Sequence, residues 1–179
     1  MPLMKLDGKT VLMVIPHTQF RDEEFFEPRK VLEDDGAKVV VASTTARICR
    51  GIRGGTAQAE IAISDAKAED YAGLVLCGGS SVPEFLWNDK KLQELATAMA
   101  AAGKVVAAIC LSTVVLARAK LLAGREATVY FLPQAIDELK QAGAKYVKET
   151  LLVHNNIILA EGPPDSLRFG QAVRTALAG

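Results

Sequence analysis

The sequence predicts an α/β protein built on a mostly parallel sheet covered by helices on both faces. Short apolar, β-branched runs alternate with segments of helical period along most of the chain. Strands that are apolar on both faces are those of a parallel sheet buried between helix layers. The 179 residues are 50% apolar and 23% charged, which suits one sizeable core and a single domain over 1–179. No linker, low-complexity tract or internal repeat interrupts the pattern.

The elements follow in order. Residues 10–15 form a first strand, and 23–35 a helix stopped by Gly36 at its C-terminal cap. Residues 38–42 form the second strand. Residues 46–64 break the alternation: Gly51, Gly54 and Gly55 punctuate them, and Ala59-Glu60-Ile61-Ala62-Ile63 alternates in polarity. This predicts a small antiparallel excursion at a sheet edge. Leu74-Val75-Leu76-Cys77 is a strand ending in Gly78-Gly79, followed by one long helix over 83–102 capped by Gly103. Val105-Val106-Ala107-Ala108-Ile109 is a buried strand that passes into a helix for which Ser112 or Thr113 can serve as cap. A strand over 127–130, a helix over 133–142 and a short strand over 145–147 come next. Residues 151–159 read as a hairpin with Asn at its turn, and 165–177 as the closing helix after Gly162-Pro163-Pro164. The architecture expected is a flavodoxin-like three-layer α/β/α sandwich with antiparallel edge hairpins.

Composition narrows the function classes. Twenty-one basic residues balance 21 acidic ones, and only 6% of residues are aromatic, so neither nucleic acid nor an anionic membrane is an expected partner. Cys49, Cys77 and Cys110 form no disulfide-scaffold pattern, which points to a reducing cytoplasm. The lead-in Met1-Pro2-Leu3-Met4-Lys5-Leu6 runs directly into the first strand, whose apolar stretch is too short for a signal peptide or a span. Neither the dinucleotide nor the phosphate-loop glycine pattern occurs, and no His, Cys and acid spacing suits zinc. No cofactor or metal is therefore expected.

Cys110 carries the functional reading. It stands on a strand-to-helix turn at the positive end of a helix dipole, a place that lowers a thiol's pKa and exposes it at the carboxyl edge of the sheet. The alternative is a buried cysteine acting as a small hydrophobe. Gly78-Gly79 ends the neighbouring strand and either forms a tight turn or offers backbone N–H groups that make an oxyanion hole with the amide of Leu111. Asp22-Glu23-Glu24 opens the first helix at the same edge. Such acids complement the helix dipole; one beside a thiol can also stay protonated and donate a hydrogen bond, or shuttle a proton. Of the two histidines, His17 leaves the first strand at this edge and is a candidate auxiliary, while His154 sits by the hairpin turn and is expected to be inert.

These residues resemble the ThiJ/PfpI superfamily, also called DJ-1-like, whose fold is of the class I glutamine-amidotransferase type. Phe20-Arg21-Asp22-Glu23-Glu24-Phe25-Phe26-Glu27-Pro28 resembles the family's first-helix motif, with its acid four residues before a proline. Gly36 to Ser43, Leu74-Val75-Leu76-Cys77-Gly78-Gly79, Ala107-Ala108-Ile109-Cys110 and Ala160-Glu161-Gly162-Pro163 resemble later family motifs in the family's order. The resemblance implies that Cys110 is the reactive thiolate, Glu24 its protonated partner, and the amides of Gly79 and Leu111 the oxyanion donors. It also implies homodimers or higher oligomers, and activities ranging over peptidases, chaperones, glutathione-independent glyoxalases, protein deglycases and oxidation sensors. The chain departs from the pattern in places. Leu111 stands where peptidase members carry His, Ser112-Thr113 where Gly-Pro is common, Cys77 where Pro is usual, and Tyr130 where some members place a site histidine.

Three readings follow. A Cys110–Glu24 enzyme acting on small reactive aldehydes needs no histidine. A peroxide sensor or stress chaperone would use an oxidisable Cys110, with Cys77 as a candidate resolving thiol. A cysteine peptidase or amidase needs a general acid for the leaving amine, and only His17 or a partner subunit is available to supply one.

Overall fold

A computed structural model of the chain describes residues 4–179; Met1-Pro2-Leu3, the start of the expected lead-in, lie outside the described residues. The chain turns over 5–8 before β1 (Thr10–Val14), rather than running straight into it, and continues through β2 (Thr18–Phe20) to α1 (Asp22–Asp34). β3 (Lys38–Ser43) is followed by β4 (Ile48–Gly51), β5 (Thr56–Gln58) and β6 (Ile61–Ala62). β7 (Gly73–Leu76) leads to α2 (Val82–Phe85) and α3 (Lys90–Ala101), and β8 (Val105–Ile109) to α4 (Thr113–Arg118). β9 (Glu126–Ala127), α5 (Pro133–Gln141), β10 (Lys145–Tyr146), β11 (Leu151–His154), β12 (Ile157–Ala160) and α6 (Ser166–Ala178) complete the order.

The main sheet runs β11-β12-β8-β7-β1-β3-β6, and every neighbouring pair is parallel except the β11–β12 hairpin. The chain steps from β1 outward to β3, then returns to the other side of β1 with β7. That reversal opens a crevice between the carboxyl ends of β1 and β7, the place where doubly wound folds bind ligands. β7, β8 and β12 are buried along their whole length, as their unbroken apolar runs require between two helix layers. α1 and α6 pack together on one face, and α3, α4 and α5 in succession on the other. The fold class is the expected one. Among the described residues no helix is long and apolar enough to cross a membrane.

Three elements differ from expectation. β4 and β5 do pair antiparallel, but in a separate sheet of order β2-β4-β5, not at the main sheet's edge; only β6 joins the main sheet, parallel to β3. The partner strand Thr18–Phe20 is three residues long with a bulge in its pairing, too short to leave a periodic signal. The helix expected over 83–102 is two helices: α2 ends at Phe85, and α3 restarts behind Asp89, whose side chain accepts from the Leu92 amide at 2.9 Å. An N-cap of this strength inside an apolar, helix-favouring run ends one helix and starts another. The strand expected over 127–130 shrinks to Glu126–Ala127, which pairs with β10 in a second small sheet and leaves Tyr130 in a loop.

Candidate functional site

Cys110 follows the last residue of β8 in a left-handed conformation, with φ +64°. Non-glycine residues rarely adopt this region, and they hold it only where surrounding contacts fix them there. The turn itself is a single 3-10 turn, Cys110–Ser112, before α4 begins. The expected cap is not formed: neither Ser112 nor Thr113 caps with its side chain, and Ser112 Oγ donates instead to the Cys77 carbonyl at 2.6 Å, tying the turn to the end of β7.

Glu24, in the first turn of α1, is fully buried against this turn. Neither of its carboxylate oxygens has a partner that satisfies hydrogen-bond geometry, and the groups that face it are the Cys110 thiol and the Gly78 amide. Burial dominates its protonation. It raises the carboxyl from 4.5 to about 8, against weaker opposing pulls from Cys110, Gly78 and Arg21. Near neutral pH this carboxyl is therefore uncharged.

The thiol is shifted in the direction opposite to expectation. Burial pushes Cys110 well above the ordinary thiol value, Glu24 adds to the rise when ionised, and the Leu111 and Gly79 amides pull the other way. The expected lowering by a helix dipole fails for a physical reason. The residue is only 6% exposed, and the helix that follows has six residues. With Glu24 neutral, its charge no longer opposes thiolate formation, and the amides of Gly79 and Leu111 remain as donors toward sulfur.

The double glycine is required by crowding as well as by conformation. A methyl on Gly78 would overlap Glu24 Oε1 and lie 2.6 Å from Cys110 Cβ. Gly79 has φ +149° and bridges Phe20 of β2. These glycines let three strand ends and the start of α1 meet at van der Waals distance.

Above the thiol lies a cleft of ≈ 540 Å³ lined by Cys110, Leu111, Gly79, Ile52 and Tyr130, among others. Its other walls include Arg21, Glu23, Ser80 and the Pro163-Pro164 turn. The three successive acids of α1 do three separate jobs. Asp22 accepts from the Arg53 and Gly55 amides, both at 2.8 Å, and so clamps the β4–β5 turn that carries Ile52 into the cleft wall. Glu23 takes Nε and Nη2 of Arg21 at 3.2 and 3.0 Å at the cleft wall. Glu24 meets the thiol. Asp22→Ala removes two hydrogen bonds to a charged acceptor and is expected to lower unfolding free energy by roughly 2 to 4 kcal/mol, read as a lower urea midpoint.

The remaining sequence candidates divide. Tyr130 lines the cleft, is 46% exposed, and its amide donates to the Cys110 carbonyl at 3.5 Å. Cys77 is fully buried, does not line the cleft, and burial pushes its thiol well up. His17 stacks edge-on against Phe85 with ring centroids 4.4 Å apart and lies 3.5 Å from Thr44 Oγ1, away from the cleft lining. His154 contacts the Glu126 carbonyl at 2.7 Å, so it is tied to β9 and not free at the hairpin. Arg21, Ile52 and Ser80 are cleft residues that the sequence did not single out. The only signals for them were adjacency to the acidic cluster, to Gly51 and to Gly79. Among the described residues no three His, Cys, Asp or Glu side chains converge in a way that could hold a metal ion.

The profile of the DJ-1/PfpI family matches residues 9–176. The chain belongs to this family. Among its DJ-1/PfpI relatives, an uncharacterised protein of Methanocaldococcus jannaschii is 48% identical over 167 residues, covering 93% of this chain and 82% of the relative. A protein of Pyrococcus abyssi named a deglycase is 31% identical over 154 residues, covering 86% and 91%. The crystal structure of a ThiJ/PfpI domain protein from Brachyspira murdochii superposes with a TM-score of 0.89 at 30% identity, covering 96% of this chain and 97% of that one. In this DJ-1/PfpI chain Leu111 directly follows Cys110.

Proposed function

We propose that the chain is a cysteine-dependent enzyme of small reactive aldehydes, of the glutathione-independent glyoxalase or deglycase type. The observation that carries this reading is the Cys110–Glu24 contact: a thiol opening on the cleft against a carboxyl whose pKa, about 8, lies close to neutrality. An acid poised there can give and take a proton in one cycle. Relatives named deglycases, such as the one from Pyrococcus abyssi, support it.

With a 2-oxoaldehyde the steps balance as follows. Sulfur of Cys110 bonds to the aldehyde carbon, and the thiol proton ends on the carbonyl oxygen, giving a hemithioacetal whose oxygen faces the Gly79 and Leu111 amides. Glu24 gives its proton to the neighbouring carbonyl oxygen and takes the hydrogen of the sulfur-bearing carbon, forming an enediol. It then returns a proton to the neighbouring carbon and takes the one on the hemithioacetal oxygen, leaving a thioester and a protonated Glu24. Water then cleaves the S–C bond, the thiol regains its proton, and a 2-hydroxy acid departs. Proton transfer by a positioned carboxyl is worth about 10² to 10⁴ in rate.

A peptidase reading needs a general acid that reaches the leaving amine, and neither histidine lines the cleft. A sensor reading draws on the same thiol, whose sulfinate the neutral Glu24 would stabilise by donating a hydrogen bond. The deciding experiment supplies methylglyoxal to the purified protein and follows lactate. Steady turnover that vanishes in Cys110→Ala is expected. No turnover, or turnover that persists in Cys110→Ala, overturns the enzyme reading; with no turnover, stoichiometric oxidation of Cys110 by mild peroxide would favour the sensor.

A further inference from the structure

The break between α2 and α3 delivers Trp87, the sole tryptophan of the chain, to the back of the elbow. Trp87 is 3% exposed, and its indole N–H donates to the Leu111 carbonyl at 2.8 Å in a buried setting. Its own carbonyl is held by Gln93 Nε2 at 3.0 Å and by Arg118 Nη1 at 3.2 Å. The Arg118 guanidinium lies over the indole at 5.5 Å from its centroid and is fixed in turn by two contacts to Glu138 of α5, at 2.9 and 2.6 Å. Side chains from α3, α4 and α5 thus immobilise one indole, whose only donor is committed to the residue after Cys110.

That commitment matters because of the strain beside it. Cys110 sits at φ +64°, a conformation a non-glycine residue keeps only if its neighbours are pinned. Leu111 offers its amide to the sulfur side and its carbonyl to the Trp87 side. We propose that Trp87 is a positioning residue, whose indole N–H pins the Leu111 carbonyl and so fixes the backbone of Leu111, whose own amide, one peptide unit earlier, then aims at Cys110 Sγ. This rests on the reading of that amide as the oxyanion donor, and not on which aldehyde the enzyme takes. A second consequence follows: the indole emission reports the state of the elbow.

Trp87→Phe keeps an aromatic ring under Arg118 and removes the donor. Turnover of methylglyoxal is expected to fall about fivefold to tenfold in kcat with KM little changed, the worth of one hydrogen bond realised in the transition state. The pH midpoint of Cys110 alkylation by iodoacetamide is expected to rise in the same variant, as the amide donor loosens. A merely structural role lowers Tm but leaves kcat and the alkylation midpoint of the folded protein where they were, and that result overturns the proposal. In the unsubstituted chain, alkylation of Cys110 is expected to change Trp87 emission at the rate measured by mass spectrometry, with no change in Cys110→Ala. Emission indifferent to alkylation also overturns it, so the test stands even where Trp87→Phe does not fold. A chain that turns over no aldehyde but still shows the shifted midpoint in Trp87→Phe retains the positioning role and loses the proposed reaction.

Discussion

Glu24→Gln is expected to be more stable than the unsubstituted chain at pH 8, and to lose aldehyde turnover. Both effects come from one burial. In the unfolded chain the carboxyl ionises at 4.5, whereas in the fold it holds its proton to about 8. Below pH 4.5 both states are protonated and the residue contributes no pH-dependent penalty. As pH rises from there, the unfolded state loses its proton while the folded state must keep it, so stability declines until the folded carboxyl itself ionises near 8. At about 1.4 kcal/mol per pKa unit, the accumulated loss is on the order of 5 kcal/mol. A glutamine side chain cannot ionise and escapes the decline. Melting curves of both proteins between pH 4.5 and 8 are expected to diverge in favour of the Glu24→Gln variant as pH rises, because the substitution removes the titration. Parallel curves would show that Glu24 titrates as an ordinary surface acid. The same substitution removes the group placed to relay a proton at Cys110, so lactate formation is expected to fall by about 10² to 10⁴. Turnover that survives it sinks the proposed mechanism.

Gly79→Ala is expected to be the most damaging single-methyl change at the site. Its φ of +149° is one that residues with a side chain rarely adopt. The added carbon would also lie 2.7 Å from Phe20 Cα and overlap the Gln19 carbonyl, and both are backbone atoms of β2 that cannot rotate away. The bridge between Phe20 of β2 and Gly79 must open, which carries the Gly79 amide off the thiol. Loss of one oxyanion donor lowers turnover by about 10² to 10³. Unfolding free energy is expected to drop as well, by about 2 kcal/mol or more. Ser80→Ala, next in the chain and also on the cleft, serves as the control. Its hydroxyl donates to Gln19 Oε1 at 2.7 Å on an exposed surface, so small effects on both readouts are expected. Equal losses in the two variants would show that the loop as a whole, and not the Gly79 amide, matters.

What the sequence made legible was decided by how local the cause was. β1, β7 and β8 are apolar on both faces, so their burial and the parallel sheet could be read from short runs alone. The Cys110 elbow and the double glycine were legible because each marks an abrupt change from strand to turn. Thr18–Phe20 was not, because three residues in a strand exist only by virtue of Arg50 and Gly51 in β4. The α2–α3 break was missed since Asp89 looks like any surface acid until the amide of Leu92 is seen on it. Protonation was the least legible. The lowered thiol expected from a helix dipole gave way to burial, which depends on packing from the whole site and leaves no mark on neighbouring residues.

One turn of α1 also sets a constraint on how this chain can vary. Asp22, Glu23 and Glu24 point in three directions because successive helical residues are rotated by about 100°. One holds the β4–β5 turn, the next the arginine of the cleft wall, and the third the thiol. Substitutions there can be made one at a time, each with its own consequence. A single-residue insertion or deletion cannot: it would swing all three carboxylates off their partners together. The length of this turn of helix is constrained along with the identity of each acid on it.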